Sequence, residues 1–242
     1  MPPTFTSASA WLRARAARAP FALRGGRADA AQSLARQVRV CPVSGPPHAR
    51  RTIALAHGAG GAMDSPWMDA IAARLGDAGL RVVRFEFPYM QQRRLDGKRR
   101  LPNSAKKLEV AWHSVIENLG PDGLLIGGKS MGGRIASMVA DQAGVAGLVC
   151  LGYPFHPPGK PEKHRTVHLA GLRTPALFCQ GDRDSFGARD EVEAYALSDA
   201  IQIAWMPDGD HSLNPRKKSG RNESDNLDLA RDLIIAFAHS LD

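Results

Sequence analysis

The sequence predicts an α/β domain, a mostly parallel sheet of about seven strands flanked by helices. Three observations predict it. Short apolar runs of strand length alternate with longer stretches of helical spacing, as in strand–helix–strand units. Gly-, Asp- and His-bearing clusters stand directly after several of those runs, where a parallel sheet gathers its functional loops. The length of 242 residues suits one such domain with a sizeable core.

Residues 1–35 lack periodicity, and Arg13, Arg15 and Arg18 interrupt any secretory-type apolar core. They are expected to be a poorly ordered basic extension, with the folded domain spanning 36–242. Arg36 to Val43 alternates and reads as an edge strand, and Gly45-Pro46-Pro47 as a turn. Thr52 to His57 is a buried strand opening into Gly58-Ala59-Gly60-Gly61. Pro66 to Leu75 has Trp67, Ile71 and Leu75 on one helical face. Arg81 to Phe87 is the next strand, ended by Pro88, and the basic stretch from Met90 to Asn103 reads as a long loop. A helix follows over about Ser104 to Leu119, and Gly120-Pro121-Asp122 is turn chemistry.

Leu124-Leu125-Ile126-Gly127 is a strand running into Gly128-Lys129-Ser130-Met131-Gly132, and Met131 to Gly144 is helical, with Ile135, Met138 and Val139 spaced to cover a sheet. Val145 to Leu151, Pro175 to Gln180 and Ile201 to Trp205 are further strands, and Ser224 to Leu241 is a closing amphipathic helix.

Gly128-x-Ser130-x-Gly132 between a strand and a helix fits a nucleophile elbow, the sharp turn that lifts a serine hydroxyl above the sheet edge. The turn crowds the backbone, so small residues are needed two before and two after the serine. Gly123, Gly128, Lys129 and Ser130 also satisfy G-x-x-x-x-G-K-[ST], the phosphate-cradling loop. That reading fails because Leu124-Leu125-Ile126 would occupy the loop, and they are the strand itself. Downstream of the elbow come a strand ending in Gly181-Asp182-Arg183-Asp184 and another ending in Gly209-Asp210-His211. Serine, acid and histidine, in that chain order and each just past a strand, form the catalytic series of the α/β-hydrolase fold.

Ser130 is the expected nucleophile, His211 the base that takes its proton, and Asp184 the acid that orients the imidazole. Asp182 is the rival acid, whereas Asp210 adjoins His211 and points away from its ring. Met131, with Ala59 or Gly60, is expected to donate the N–H groups of an oxyanion hole. His57 reads as a structural hydrogen bonder. Tyr153, His156 and Arg99 are expected to touch substrate. His164 and His168 are four apart, but Lys163 and Arg165 would repel a cation there, so no metal site is predicted. No cofactor is implied. His48 and His239 read as surface residues.

The net charge of +8 gathers in three clusters, residues 13–39, 93–107 and 216–221. The second and third fall in loops on the edge that carries the serine, joined by Lys160 and Lys163, and read either as solvated charges that keep the protein soluble or as a rim that favours an anionic substrate. Without interleaved aromatics they do not read as a nucleic-acid surface. No apolar run approaches a membrane span. The three cysteines, Cys41, Cys150 and Cys179, have no CxxC spacing, which points to a reducing, cytoplasmic setting. A monomer or homodimer acting on a small acyl compound is expected.

Several stretches resemble one known group. They are His57-Gly58-Ala59-Gly60, Arg84 to Tyr89, Gly127 to Arg134, Gly152 to Lys160 and Gly209 to Leu213. Over residues 40–242 the chain resembles the KANL/Tex type of α/β-hydrolase-like proteins, related to dienelactone hydrolases. The resemblance implies a compact hydrolase fold without a large lid and leaves the substrate open. Dienelactone hydrolases carry a cysteine nucleophile, and Ser130 departs from that. Some relatives are subunits of larger complexes, so a hydrolase-shaped, non-catalytic interaction protein is the alternative to a serine hydrolase of esters or thioesters.

Overall fold

The computed structural model describes residues 40–241; the basic extension at 1–35 and its boundary lie outside the described residues. The strands are β1 (Val40–Ser44), β2 (Thr52–Ala56), β3 (Arg81–Phe85), β4 (Leu124–Lys129), β5 (Gly147–Leu151), β6 (Ala176–Gly181) and β7 (Ile201–Met206). The helices are α1 (Pro66–Asp77), α2 (Pro88–Asp96), α3 (Ala105–Leu119), α4 (Met131–Ala143), α5 (Arg189–Val192) and α6 (Glu223–Ser240). They frame one seven-stranded sheet in the order β1-β3-β2-β4-β5-β6-β7. Only β1 runs antiparallel, against β3. No large lid domain stands over the sheet among the described residues. No described helix is long and apolar enough to cross a membrane.

A parallel strand covered on both faces needs apolar residues at every position, and β2, β4, β5 and β6 are buried nearly throughout. On one face α3 and α4 close over Ile126, Phe178 and the edge-to-face pair Phe85 and Trp112, whose ring centroids lie 4.6 Å apart. On the other, α1 and α6 close over Ile53, Leu125 and Val149. Each large side chain buried in these layers contributes about 1.5–3 kcal/mol. Arg74 of α1 reaches Asp228 of α6 at 2.9 Å, and a capping box between Asn222 and Asp225 opens α6. Cys150 and Cys179 are buried free thiols, and burial pushes Cys179 up to about 12.

The sequence reading of 90–103 as a continuous loop is corrected by α2. Pro88 ends the extended segment but also opens this helix. Its fixed φ suits the first helical position, where the missing N–H costs nothing. Gly97, at φ 69°, ends it in the left-handed conformation. The helix is held from below by buried Glu86, which accepts a 2.6 Å hydrogen bond from Arg94 Nε, while Arg94 also pairs with Asp64.

The central crossing is between the elbow and β2. A Cβ on Gly132 would stand 2.4 Å from the carbonyl oxygen of Ala56, and one on Gly128 would stand 2.1 Å from it. Both obstructions are backbone, inside a paired strand, and cannot swing aside. Gly132→Ala is therefore expected to destabilise the fold by about 3 kcal/mol, the upper range of overpacking. Gly171→Ala, where a Cβ meets nothing within 4 Å, should be near neutral. Urea midpoints of the two variants check the contrast.

Candidate active site

The end of β4 and the start of α4 form a strained corner. Ser130 has φ 52° and ψ −117°, a backbone conformation that non-glycine residues seldom adopt. It is held there by its N–H, which donates to Leu151 O at 3.0 Å, and by its carbonyl, which accepts from Arg134 N at 3.0 Å. The hydroxyl is thereby raised beyond the sheet edge. Met131 follows as the first helical residue, its N–H among those without an intrahelical acceptor.

Three side chains named from chain order meet at this corner. His211 Nε2 lies 2.8 Å from Ser130 Oγ, and His211 Nδ1 lies 2.7 Å from Asp184 Oδ2. Asp184 is buried and accepts two further bonds, from Gln180 Nε2 at 2.9 Å and Phe186 N at 2.8 Å. The rival acids are occupied elsewhere. Asp182 accepts from Asp208 N at 2.9 Å, and Asp210 from Ser212 N at 2.7 Å and Asn214 N at 2.9 Å.

Two residues of this arrangement were not singled out from the sequence. Gln180 is a buried hub that also accepts from Tyr153 N at 2.7 Å and donates to Gly187 O at 3.1 Å. Phe186 stacks on the His211 ring at a centroid distance of 4.0 Å. The signal for both was their nearness in sequence to Asp184, and it became readable only once the turn at 184–187 had closed.

Lys129 projects beside the serine. Its ammonium bonds to the carbonyl oxygen of His211 and lies 5.5 Å from the centroid of the Trp67 ring. Burial pushes it down to about 8, against the opposing pull of Asp184 and Asp210. His57 is buried, with Nδ1 2.7 Å from Gly58 O and Nε2 accepting from Phe87 N at 3.1 Å. Burial lowers its pKa, so the ring stays neutral and braces the loop. Tyr89 adds a second brace, its hydroxyl donating to Ala59 O at 2.9 Å.

Two clefts meet at Ser130. One, of about 340 Å³, is lined by the loop Gly58–Gly61, including Ala59 and Gly60, with Trp67, Met68 and Lys129. The other, of about 370 Å³, is lined by Asn103, Leu108, Met131, Arg134, Ile135 and Arg165. Ala59, Ser130 and Phe186 belong to both.

The expected substrate contacts fall elsewhere. Tyr153 is buried, stacked on Phe178 at 4.9 Å, with its hydroxyl donating to Arg165 O at 3.0 Å. His156 is buried and bonds Glu191 at 2.9 Å. Between them Pro154 lines a cleft while itself buried, as is the whole stretch 152–156. Arg99 is exposed and lines neither cleft. Several charges of the supposed basic rim are neutralised in ion pairs, Arg100 with Asp96 and Arg216 with Asp208. His164 packs edge-on against Tyr195, and His168 hydrogen-bonds Ser137.

The chain matches solved structures across most of its length. An α/β serine hydrolase homologue from Coxiella burnetii aligns at 20% identity and TM-score 0.61, covering 82% of this chain and 90% of that one. Dienelactone hydrolase from Anabaena variabilis aligns at 21% identity and TM-score 0.60, covering 81% and 89%. A serine hydrolase without a lid from Xanthomonas campestris aligns at 18% identity and TM-score 0.59, covering 81% and 87%. At these identities the likeness is one of fold. The model of the α/β-hydrolase domain family matches residues 49–239, most of the chain. The chain belongs to the α/β-hydrolase domain family.

Proposed function

We propose that the protein is a serine hydrolase that cleaves a small ester or thioester through an acyl-enzyme intermediate. The observation that carries the reading is the continuous line of hydrogen bonds Asp184–His211–Ser130, at 2.7 and 2.8 Å, ending on a strained serine at the mouth of two clefts. Serine-hydrolase and dienelactone-hydrolase neighbours support the class, and within it we assign the chain to the KANL/Tex type on the motifs quoted above. The buried free thiols support a reducing, cytoplasmic setting.

In the reaction, Ser130 Oγ attacks the scissile carbonyl carbon while His211 Nε2 takes its proton. Asp184 holds the Nδ1–H tautomer and stabilises the imidazolium. The N–H groups of Met131 and of Ala59 or Gly60 face the oxyanion, with no reorganisation needed in a loop braced by His57 and Tyr89. Collapse expels the alcohol or thiol, which receives the proton from His211. Water then adds to the acyl-enzyme, its proton passing to His211 and on to Ser130 as the acid leaves. Lys129 is a positioning residue, fixing the His211 backbone through its carbonyl.

Ser130→Ala should lower turnover of 4-nitrophenyl esters by about three to six orders of magnitude and abolish labelling by a fluorophosphonate probe. Wild-type protein that fails to label would leave a non-catalytic scaffold as the better reading.

Asp184→Asn should cost about 10⁴-fold in kcat, as in triads where the wrong histidine tautomer is stabilised. Asp182→Asn and Asp210→Asn should retain most of it. Steady-state kinetics of the three variants decides the acid.

Lys129 has a lowered pKa when folded, so keeping it charged costs stability that is fully present below about pH 8. That cost is relieved as pH rises from about 8 toward the ordinary lysine value. The melting temperature of the wild type relative to Lys129→Met should therefore rise across this window, measured by thermal melts at matched pH.

A further inference from the structure

Arg134 and Arg165 face the larger cleft without a counter-ion. Other arginines near the sheet edge are matched to acids: Arg84 pairs with Asp69, Arg94 with Glu86 and Arg183 with Asp208. Neither Arg134 nor Arg165 has such a partner among the described residues, and none of the residues lining their cleft is acidic. Arg134 Nε is buried with no hydrogen-bond acceptor at all. The two line one cleft, and burial together with the charge of Arg134 holds Arg165 below the usual arginine range. An arrangement that concentrates positive charge and leaves it unmatched is unfavourable until an anion enters.

Both backbones are fixed. Arg134 sits one helical turn beyond Ser130 on α4, its N–H bonded to Ser130 O at 3.0 Å and its carbonyl accepting from Ser137 Oγ at 2.7 Å. Residues at this spacing lie on one helix face with Cβ atoms about 5–6 Å apart. Arg165 is pinned twice, its N–H donating to Phe155 O at 2.7 Å and its carbonyl accepting from Tyr153 Oη at 3.0 Å. This gives Tyr153 a role the sequence had placed one step too near the substrate. Leu108 and Ile135 complete an apolar wall, which strengthens charge-assisted hydrogen bonds inside the cleft.

We propose that Arg134 and Arg165 form an anion subsite beside Ser130, and that the substrate carries a carboxylate or phosphate a few bonds from its scissile carbonyl. Guanidinium forks match either group, and two of them on the wall of one cleft favour a fixed oxyanion over a diffuse charge. The remainder of the substrate takes the cleft lined by Trp67 and Met68. The proposal rests on the serine-hydrolase reading but can fail separately from it.

The test measures kcat/KM of the full-length protein for matched ester pairs. 4-Nitrophenyl hydrogen glutarate against 4-nitrophenyl valerate places the charge on the acyl side. 4-Acetoxybenzoate and 4-acetoxyphenyl phosphate against phenyl acetate place a carboxylate or a phosphate on the alcohol side. In at least one pair the charged ester is expected to be preferred by about tenfold or more, a preference that falls with added salt. Arg134→Gln and Arg165→Gln should each reduce the ratio of charged to neutral kcat/KM by about tenfold. Arg165 lies on a loop, so its variant answers if Arg134→Gln misfolds.

Equal efficiency toward charged and neutral esters, or a preference that survives in the folded variants, overturns the subsite and leaves the hydrolase standing. If no ester is cleaved and the fluorophosphonate fails to label Ser130, the hydrolase reading falls. Calorimetric binding of the same esters then decides the subsite. Binding of a charged ester weakened about tenfold by Arg165→Gln retains it, and equal binding removes it.

Discussion

The structure depends on how closely the first turn of α4 approaches the backbone of β2. Ala56 O faces both Gly128 and Gly132, and no side chain fits between. That contact aims the helix axis at the sheet edge and forces Ser130 into φ 52°. A non-glycine residue held so costs about 1–3 kcal/mol and persists only where its surroundings over-determine it. Here they do: Leu151 O takes its N–H, Arg134 N takes its carbonyl, and the flanking glycines are locked against β2. The height of Ser130 above the sheet is therefore a property of the core and not of a loop.

From that fixed point a polar line runs back into the interior. Ser130 meets His211, His211 meets Asp184, and Asp184 is held by Gln180, whose side chain also ties the loops after β5 and β6 together. A buried carboxylate is tolerated only when its oxygens are bonded, and Asp184 has a partner on each. The same economy governs the basic residues. Arg94, Arg100 and Arg216 are matched by Asp64, Glu86, Asp96 and Asp208, while the cleft beside the serine keeps two arginines that are not.

The strands and the elbow were legible because their signals are local. An apolar run buried on both faces, or glycines at fixed offsets from a serine, needs no knowledge of the rest of the chain. The order of Ser130, Asp184 and His211 was enough to name the side chains that meet. Helix α2 is hidden in the sequence because Pro88 reads as a stop, though proline serves equally well at a first helical turn. Tyr153 and His156 stand in a loop beside the clefts but are packed inward, and burial of this stretch is not written in its sequence. Arg134 lay inside the quoted motif and Arg165 between two histidines dismissed as ligands. What distinguished them was the absence of an acid nearby, and only three-dimensional packing reveals that. In the basic stretch 93–100, the pairing of Arg94 with Glu86 and Asp64 was not legible, because those acids lie outside the stretch.

The meeting of two clefts at one serine has a consequence for how substrates are compared. Because only Ala59, Ser130 and Phe186 are common to both, the walls that measure one half of a bound molecule share little with those that measure the other. Contributions made through the unshared walls alone add, so in the hydrolase proposed above their effects on kcat/KM would multiply. Discrimination over a whole molecule then becomes the product of two shorter measurements, each starting from the bond to be broken. A bound molecule altered at one end would be judged there alone, and the site's tolerance on that side would say little of its tolerance on the other.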